Sequence, residues 1–225
     1  MSGSVAASDS AALPAAPEVL QLEVGLLENF CEILWCPRTL EAAVVDPAFE
    51  VDRLLREVQA RQLTLTKILI THSHADHIDG VEEVVQRTGA VTYVHPHEAA
   101  RLAPLCRALV PVVDRMDIAI GDKGVRVLET FGHTVGGVCY LCDGYLITGD
   151  VLFVRGCGRT DFPGGNTRAL WDSLQRLAAL PEELRIYPGH NYGPTATSSL
   201  GTELAQNPYL RCADFEQFRA MRERR

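Results

Sequence analysis

The chain has 225 residues, 47% of them hydrophobic, and a formal net charge of −8. That length and apolar content suit one sizeable core, while the acidic balance argues against a broad basic surface for nucleic acid or an anionic membrane. No apolar run approaches the roughly 20 residues of a membrane-spanning helix.

The opening MSGSVAASDSAALPAAPEV has neither the basic and apolar regions of a signal peptide nor the arginines of a transit peptide. Residues 1–18 are expected to be a disordered leader, and 19–225 a single cytoplasmic domain. EILWC and EAAVVDP read as two strands joined by PRT. AFEVDRLLREVQARQ follows with Val51, Leu54, Leu55 and Val58 at helical spacing. TKILITH is a short apolar run rich in β-branched residues and reads as a buried strand. IDGVEEVVQRTGA carries the stripe Val81, Val84, Val85 and ends at Gly89, a natural helix C-cap. VTYVH reads as a strand and PHEAARLAPL as a short helix, with His95 and His97 as structural residues at their junction. GDKGVRVLETFGH gives a turn and a strand running to His133. VCYLCDGYLITGD reads as two strands around an Asp-Gly turn. NTRALWDSLQRLAAL is a helix capped by Asn166, LRIYPGH is a strand, and two short helices close the chain. The final MRERR is expected to be a solvated helix terminus.

Seven cysteines in a chain of this size do not form a secreted disulfide framework. Cys139 and Cys142 have CxxC spacing, but three positions along a strand turns them to opposite faces. They read as buried thiols rather than a redox or zinc pair.

A hydrophobic strand followed at once by His or Asp recurs at His72, His133, Asp150 and His190. Loops at strand ends of layered folds collect binding groups on a rigid scaffold. In THSHADHIDG, His72, His74, Asp76 and His77 crowd into six residues. A regular strand or helix cannot turn all four the same way, whereas a tight loop can bring several together. Imidazole nitrogen and carboxylate oxygen are good ligands for zinc and iron.

HxHxDH at 72–77, followed by His133, Asp150 and His190, resembles the metallo-β-lactamase superfamily from about residue 19 to about 210. The resemblance implies an α+β fold, a four-layer αββα sandwich with metal at one edge. It implies a first metal site of His72, His74 and His133, a second of Asp76, His77 and His190, and Asp150 as the bridge.

Nuclease members would favour a basic groove, which this acidic chain lacks, and an antibiotic hydrolase would carry an export signal. RGCGRTDF (155–162) and YPGHNYG look like the persulfide dioxygenases. That resemblance implies one Fe(II) on His72, His133 and Asp150, with His74, Asp76, His77 and His190 as orienting groups. Glutathione persulfide and O2 would be the substrates, and sulfite and glutathione the products. The alternative is a glyoxalase II-like thioesterase with two Zn(II), to which NFCEILWC and Pro163-Gly-Gly165 are similar. The roughly 35 residues after His190 fall short of the helical glutathione-binding domain of larger glyoxalase II enzymes. The persulfide dioxygenase is the first expectation. A metal-stabilised module without activity would be signalled by lost ligands, and all seven are present.

Three further residues carry expectations. Arg159 either meets a glutathione carboxylate or pairs structurally with Asp161. Cys157 lies close to the site or is a small buried thiol. Tyr192 donates to bound substrate or oxygen, or caps its loop. A homodimer is the base-rate expectation for a soluble enzyme.

Overall fold

The structure, a computed structural model, describes residues 13–223. The first sheet has β1 (Glu18–Val24), β2 (Asn29–Trp35), β3 (Glu41–Val45), β4 (Thr64–Leu69), β5 (Val91–Val94) and β6 (Leu109–Pro111), hydrogen-bonded in that order. Its first three strands run antiparallel, and β3 through β6 run parallel. The second sheet comprises β7 (Asp117–Ile120), β8 (Lys123–Glu129), β9 (Val138–Cys142), β10 (Tyr145–Gly149), β13 (Arg185–Pro188) and β14 (Ser198–Ser199). A small hairpin, β11 (Leu152–Phe153) with β12 (Gly156–Cys157), lies between β10 and β13 in the chain.

Helices cover the outer faces. α1 (Val51–Ala60), α3 (Val81–Thr88) and the one-turn α4 (Ala99–Leu102) pack on the first sheet, while α2 (Ala75–Ile78) is a single turn within the histidine-rich loop. α5 (Thr167–Ala178), α6 (Leu200–Gln206) and α7 (Phe215–Glu223) pack on the second. Adjacent strand residues divide between layers because side chains alternate across a strand. Leu34, Val45 and Leu69 meet Val127, Tyr140 and Ile147 between the sheets. Their neighbours Ile33, Val44 and Ile68 pack outward with Leu54, Val84 and Leu102. Leu128 and Leu141 face Leu170, Leu174 and Phe218 on the other side. Both faces of each sheet are therefore buried, which is why the strands read as continuous apolar runs. This is the αββα sandwich expected from the resemblance.

Local signals also materialise. Gly89 ends α3 with φ 74°, and the Asn166 side chain accepts the Ala169 amide at 2.9 Å. Cys139 and Cys142 sit in different core layers, and burial pushes both thiols up to about 12. All seven cysteines are free thiols.

Two expectations need correction. Residues 1–12 of the expected leader lie outside the described residues, but its end is held in place. The Ala15 carbonyl accepts the Gly124 amide, the Pro17 carbonyl accepts the Tyr145 hydroxyl, and Leu13 packs on the second sheet's core. Strand β1, which the sequence pattern did not reveal, starts at Glu18 and pairs with β2. The basic C-terminal end is not simply solvated either. Arg222 lies over the Tyr209 ring, its Nε buried without a hydrogen-bond partner; Arg224 and Arg225 lie outside the described residues. No helix among the described residues is long and apolar enough to cross a membrane.

Candidate metal centre

The ligand candidates converge where strand ends of both sheets meet. His72, His74, Asp76 and His77 stand on the loop after β4 and on α2. His133 lies four residues beyond β8, Asp150 immediately after β10, and His190 two residues beyond β13. His74 Nδ1 is 3.1 Å from His72 Nε2 and 2.9 Å from His133 Nε2. A second group forms beside it. His77 Nε2 is 3.2 Å from His190 Nε2, and Asp76 Oδ2 lies 3.7 and 3.5 Å from those two nitrogens. Asp150 stands between the groups, with Oδ2 3.5 Å from His133 Nε2 and 3.4 Å from His190 Nε2, and Oδ1 3.4 Å from His77 Nε2.

The outward ring nitrogens settle what faces inward. His133 Nδ1 donates to the Arg159 carbonyl at 2.7 Å, and His190 Nδ1 to the Leu27 carbonyl at 2.9 Å. A carbonyl oxygen only accepts, so each proton is on Nδ1 and each Nε2 lone pair points into the cluster. His77 Nδ1 is held by Asp46 Oδ2 at 3.0 Å, and His72 Nδ1 by the Thr71 hydroxyl at 3.1 Å, which itself donates to Asp46. Lone pairs packed 2.9–3.2 Å apart repel unless a proton or a cation lies between them. Among the described residues, the buried Asp150 Oδ1 has no hydrogen-bond partner. Nitrogen and carboxylate donors aimed at one space, with second-layer acceptors fixing the tautomers, fit a divalent metal.

Charge follows the same logic. Burial pushes His72 well below the ordinary imidazole range and lowers His74, keeping both as neutral ligands. Burial opposes ionisation of Asp150, but the His77 imidazole overcomes it and holds the carboxyl well below its usual range. Burial also pushes His77 down, yet Asp150 and Asp46 raise it to about 9. The negative potential that favours a proton on His77 would equally favour a metal ion in its place.

Glycines let the backbone close around these groups. A Cβ on Gly158 would stand 1.8 Å from the Asp150 carbonyl oxygen, and one on Gly189 2.4 Å from Asp150 Oδ1.

A cavity of about 400 Å3 opens on the cluster, its wall including Leu27, Arg101, Arg159, Phe162 and Tyr192. Tyr192 stacks on His190 with ring centroids 4.5 Å apart, and burial followed by Asp150 pushes its hydroxyl up to about 12. Arg159 makes a two-pronged pair with Asp161, at 2.9 and 2.6 Å, and lies over Phe162. It also borders a neighbouring cavity of about 590 Å3 lined by Thr160, Asp161, Thr167, Arg222 and Glu223. Cys157 is placed elsewhere. It is a buried thiol in the second sheet's core, 3.9 Å from Arg222 Nη1, and does not line the metal cavity.

Several participants escaped the sequence reading. Asp46 follows β3 directly, so the strand-end rule that singled out Asp150 could have found it. Asn29 donates to the Asp76 carbonyl and carboxylate at 2.9 and 3.1 Å, and Glu98 accepts the Ser73 and Gly136 amides. Neither has a local signature.

The family profile described as the metallo-beta-lactamase superfamily matches residues 38–190, a span from before β3 to the last histidine. The chain belongs to that superfamily. Among solved structures, ETHE1 from Myxococcus xanthus superposes with a TM-score of 0.85 at 36% identity, covering 92% of this chain and 90% of that one. Among curated relatives, a probable polyketide biosynthesis zinc-dependent hydrolase, BaeB of Bacillus velezensis, is 33% identical over 88% of each chain. A hydroxyacylglutathione hydrolase of Actinobacillus pleuropneumoniae is 35% identical over 82% of this chain and 89% of its own. A metallo-beta-lactamase fold with this donor set is that of a metal-dependent enzyme, hydrolase or oxidoreductase.

Proposed function

We propose that this chain hydrolyses thioesters of a small thiol, using two divalent cations. One observation carries the reading: a complete second donor group, Asp76, His77 and His190, stands next to the first with the Asp150 carboxylate between them. In this reading His72, His74 and His133 would hold one cation and Asp76, His77 and His190 the other, with the Asp150 carboxylate available to both. Two cations bound there would supply Lewis acidity and a nucleophilic water at neutral pH. Tyr192, in the cavity wall, offers its hydroxyl to the substrate. Leu27 and Phe162 give the cavity apolar wall for the aliphatic part of a substrate. The adjoining cavity, lined by Arg159, Thr160, Asp161, Thr167, Arg222 and Glu223, presents both signs of charge, as the ammonium and carboxylates of a glutathione-type thiol require, in keeping with the hydroxyacylglutathione hydrolase among the relatives.

A second reading has its own support. The segment Arg155–Phe162 and the likeness to ETHE1 favour a persulfide dioxygenase. It would use one Fe(II) on His72, His133 and Asp150, with O2 and glutathione persulfide as substrates. Sequence resemblance ranks this reading first; the hydrolases among the curated relatives reverse the order. In either reading Cys157, away from the cavity, supports packing rather than chemistry.

The deciding experiment measures metal content, oxygen uptake and thioester hydrolysis on one preparation. Two metals per chain with turnover of S-lactoylglutathione and no oxygen uptake is the expected result. One iron per chain, with oxygen loss matched by sulfite from glutathione persulfide, would install the dioxygenase.

A further inference from the structure

The wall of the metal cavity contains a cation that neither reading uses. Arg101 lines the same cavity as His74, Asp76, His133, Asp150 and His190. Among the described residues its guanidinium makes no ion pair or side-chain hydrogen bond, in a protein of net charge −8. Arg159, the other arginine of that wall, is already paired with Asp161. Arg101 also stands outside the neighbouring cavity of Arg159 and Arg222.

Its position is set by buried structure. Arg101 lies on α4, whose N-cap is Glu98. Glu98 is 5% exposed and accepts the Ser73 amide and hydroxyl and, at 2.9 Å, the Gly136 amide. Ser73 sits between two of the histidines, and Gly136 follows His133 by three residues. Glu98 therefore ties α4 to both loops that carry the first donor group. The Arg101 amide donates to the Glu98 carbonyl at 3.3 Å, so the arginine is one turn from this anchor and on the same side of the helix.

We infer that Arg101 is a specificity-determining residue, binding an anionic group of the substrate at a subsite separate from the Arg159–Arg222 cavity. This rests on the thiol-conjugate reading. The matching chemistry is a carboxylate, as on a glutathione conjugate, or a phosphate, as on a pantetheine-type carrier arm. Both suit the planar donor fork of a guanidinium.

Calorimetric titration with three inert thioethers tests it on the full metal-loaded chain: S-butylglutathione, S-butyl-coenzyme A and the uncharged N-acetyl-S-butylcysteamine. In R101A, at least one anionic probe is expected to bind about tenfold more weakly, as loss of a charge-assisted contact implies. The neutral probe should move less than twofold, and R101K should recover most of the loss. A larger effect on S-butylglutathione identifies a carboxylate, and one on S-butyl-coenzyme A a phosphate. Equal losses for all three probes, or no loss for either anionic one, overturn the assignment. Wild-type turnover of an uncharged thioester judges the hydrolase reading separately. Failure there with the tenfold loss intact leaves Arg101 in place, and turnover without the loss removes Arg101 alone.

Discussion

At the residue scale, the donor set depends on what stands behind it. Asp46 is 2% exposed, takes the His77 Nδ1 proton, and accepts both the amide and the hydroxyl of Thr71, the residue that in turn holds His72. One carboxylate thus orients a ligand in each donor group. Asp46→Asn replaces an acceptor oxygen with a donor NH2 in a place lined with donors. It should weaken metal affinity by about 10- to 100-fold, measured by competition with a chromophoric chelator. Unchanged affinity would show that His77 and His72 hold their orientation without Asp46.

At the element scale, the loop carrying His133 is held against α5 by a close backbone approach. Gly132 has φ +128°, and a Cβ there would lie 2.1 Å from the Leu170 amide nitrogen. The Gly132 carbonyl also accepts the Asn166 amide at 2.8 Å. Gly132→Ala therefore meets both backbone strain, itself about 1–3 kcal/mol, and a clash with main chain that no rotamer relieves. It should lower the melting temperature and weaken metal binding together, because His133 is the next residue. Asn166→Ala removes only the side-chain cap of α5 and should cost about 1 kcal/mol. Denaturant titration and metal titration of both variants separate the cases. If Asn166→Ala also loses metal, α5 itself, rather than the Gly132 contact, sets the loop.

At the scale of the whole molecule, the space between the sheets holds a buried carboxyl among apolar side chains. Glu32 is 2% exposed on β2, with Gln21 Nε2 3.3 Å from its Oε1. Burial, reinforced by Asp46, raises it to about 8. Between its unfolded value near 4.5 and about 8, the unfolded glutamate has released its proton while the folded one keeps it. Stability is therefore complete at low pH and falls as pH rises through that window, in total by a few kcal/mol on the order-of-magnitude scale of linkage. His77, raised to about 9, adds a loss of the same sign in metal-free protein. Glu32→Gln keeps the acceptor for Gln21 and removes the titration, so it should flatten the fall in melting temperature from pH 5.5 to 8.5. His77 is present in both proteins, so their difference reports Glu32 together with its coupling to the His77 charge. Parallel pH profiles would mean that Glu32 is ionised in the folded state.

Much of this architecture is written in local patterns. Apolar runs such as KILI mark strands buried on two faces, the Val51–Leu54–Val58 stripe marks α1, and Asn166 and Gly89 mark helix ends; each depends on neighbours a few positions away. HxHxDH and the strand-end His133, Asp150 and His190 likewise declare a metal site, because those residue types in that order suit little else. What required the tertiary structure is everything that depends on residues distant in the chain meeting. His77 meets His190 across 113 positions, Asp46 reaches His77 across 31, and Glu98 reaches Gly136 across 38. β1 is a strand by its pairing with β2, and Arg101 belongs to the site only because Glu98 fastens its helix there. Sequence determines which donors exist and the layers that carry them. The closing of two sheets on one core decides which donors face one another, because burial selects the one packing in which every apolar face is covered.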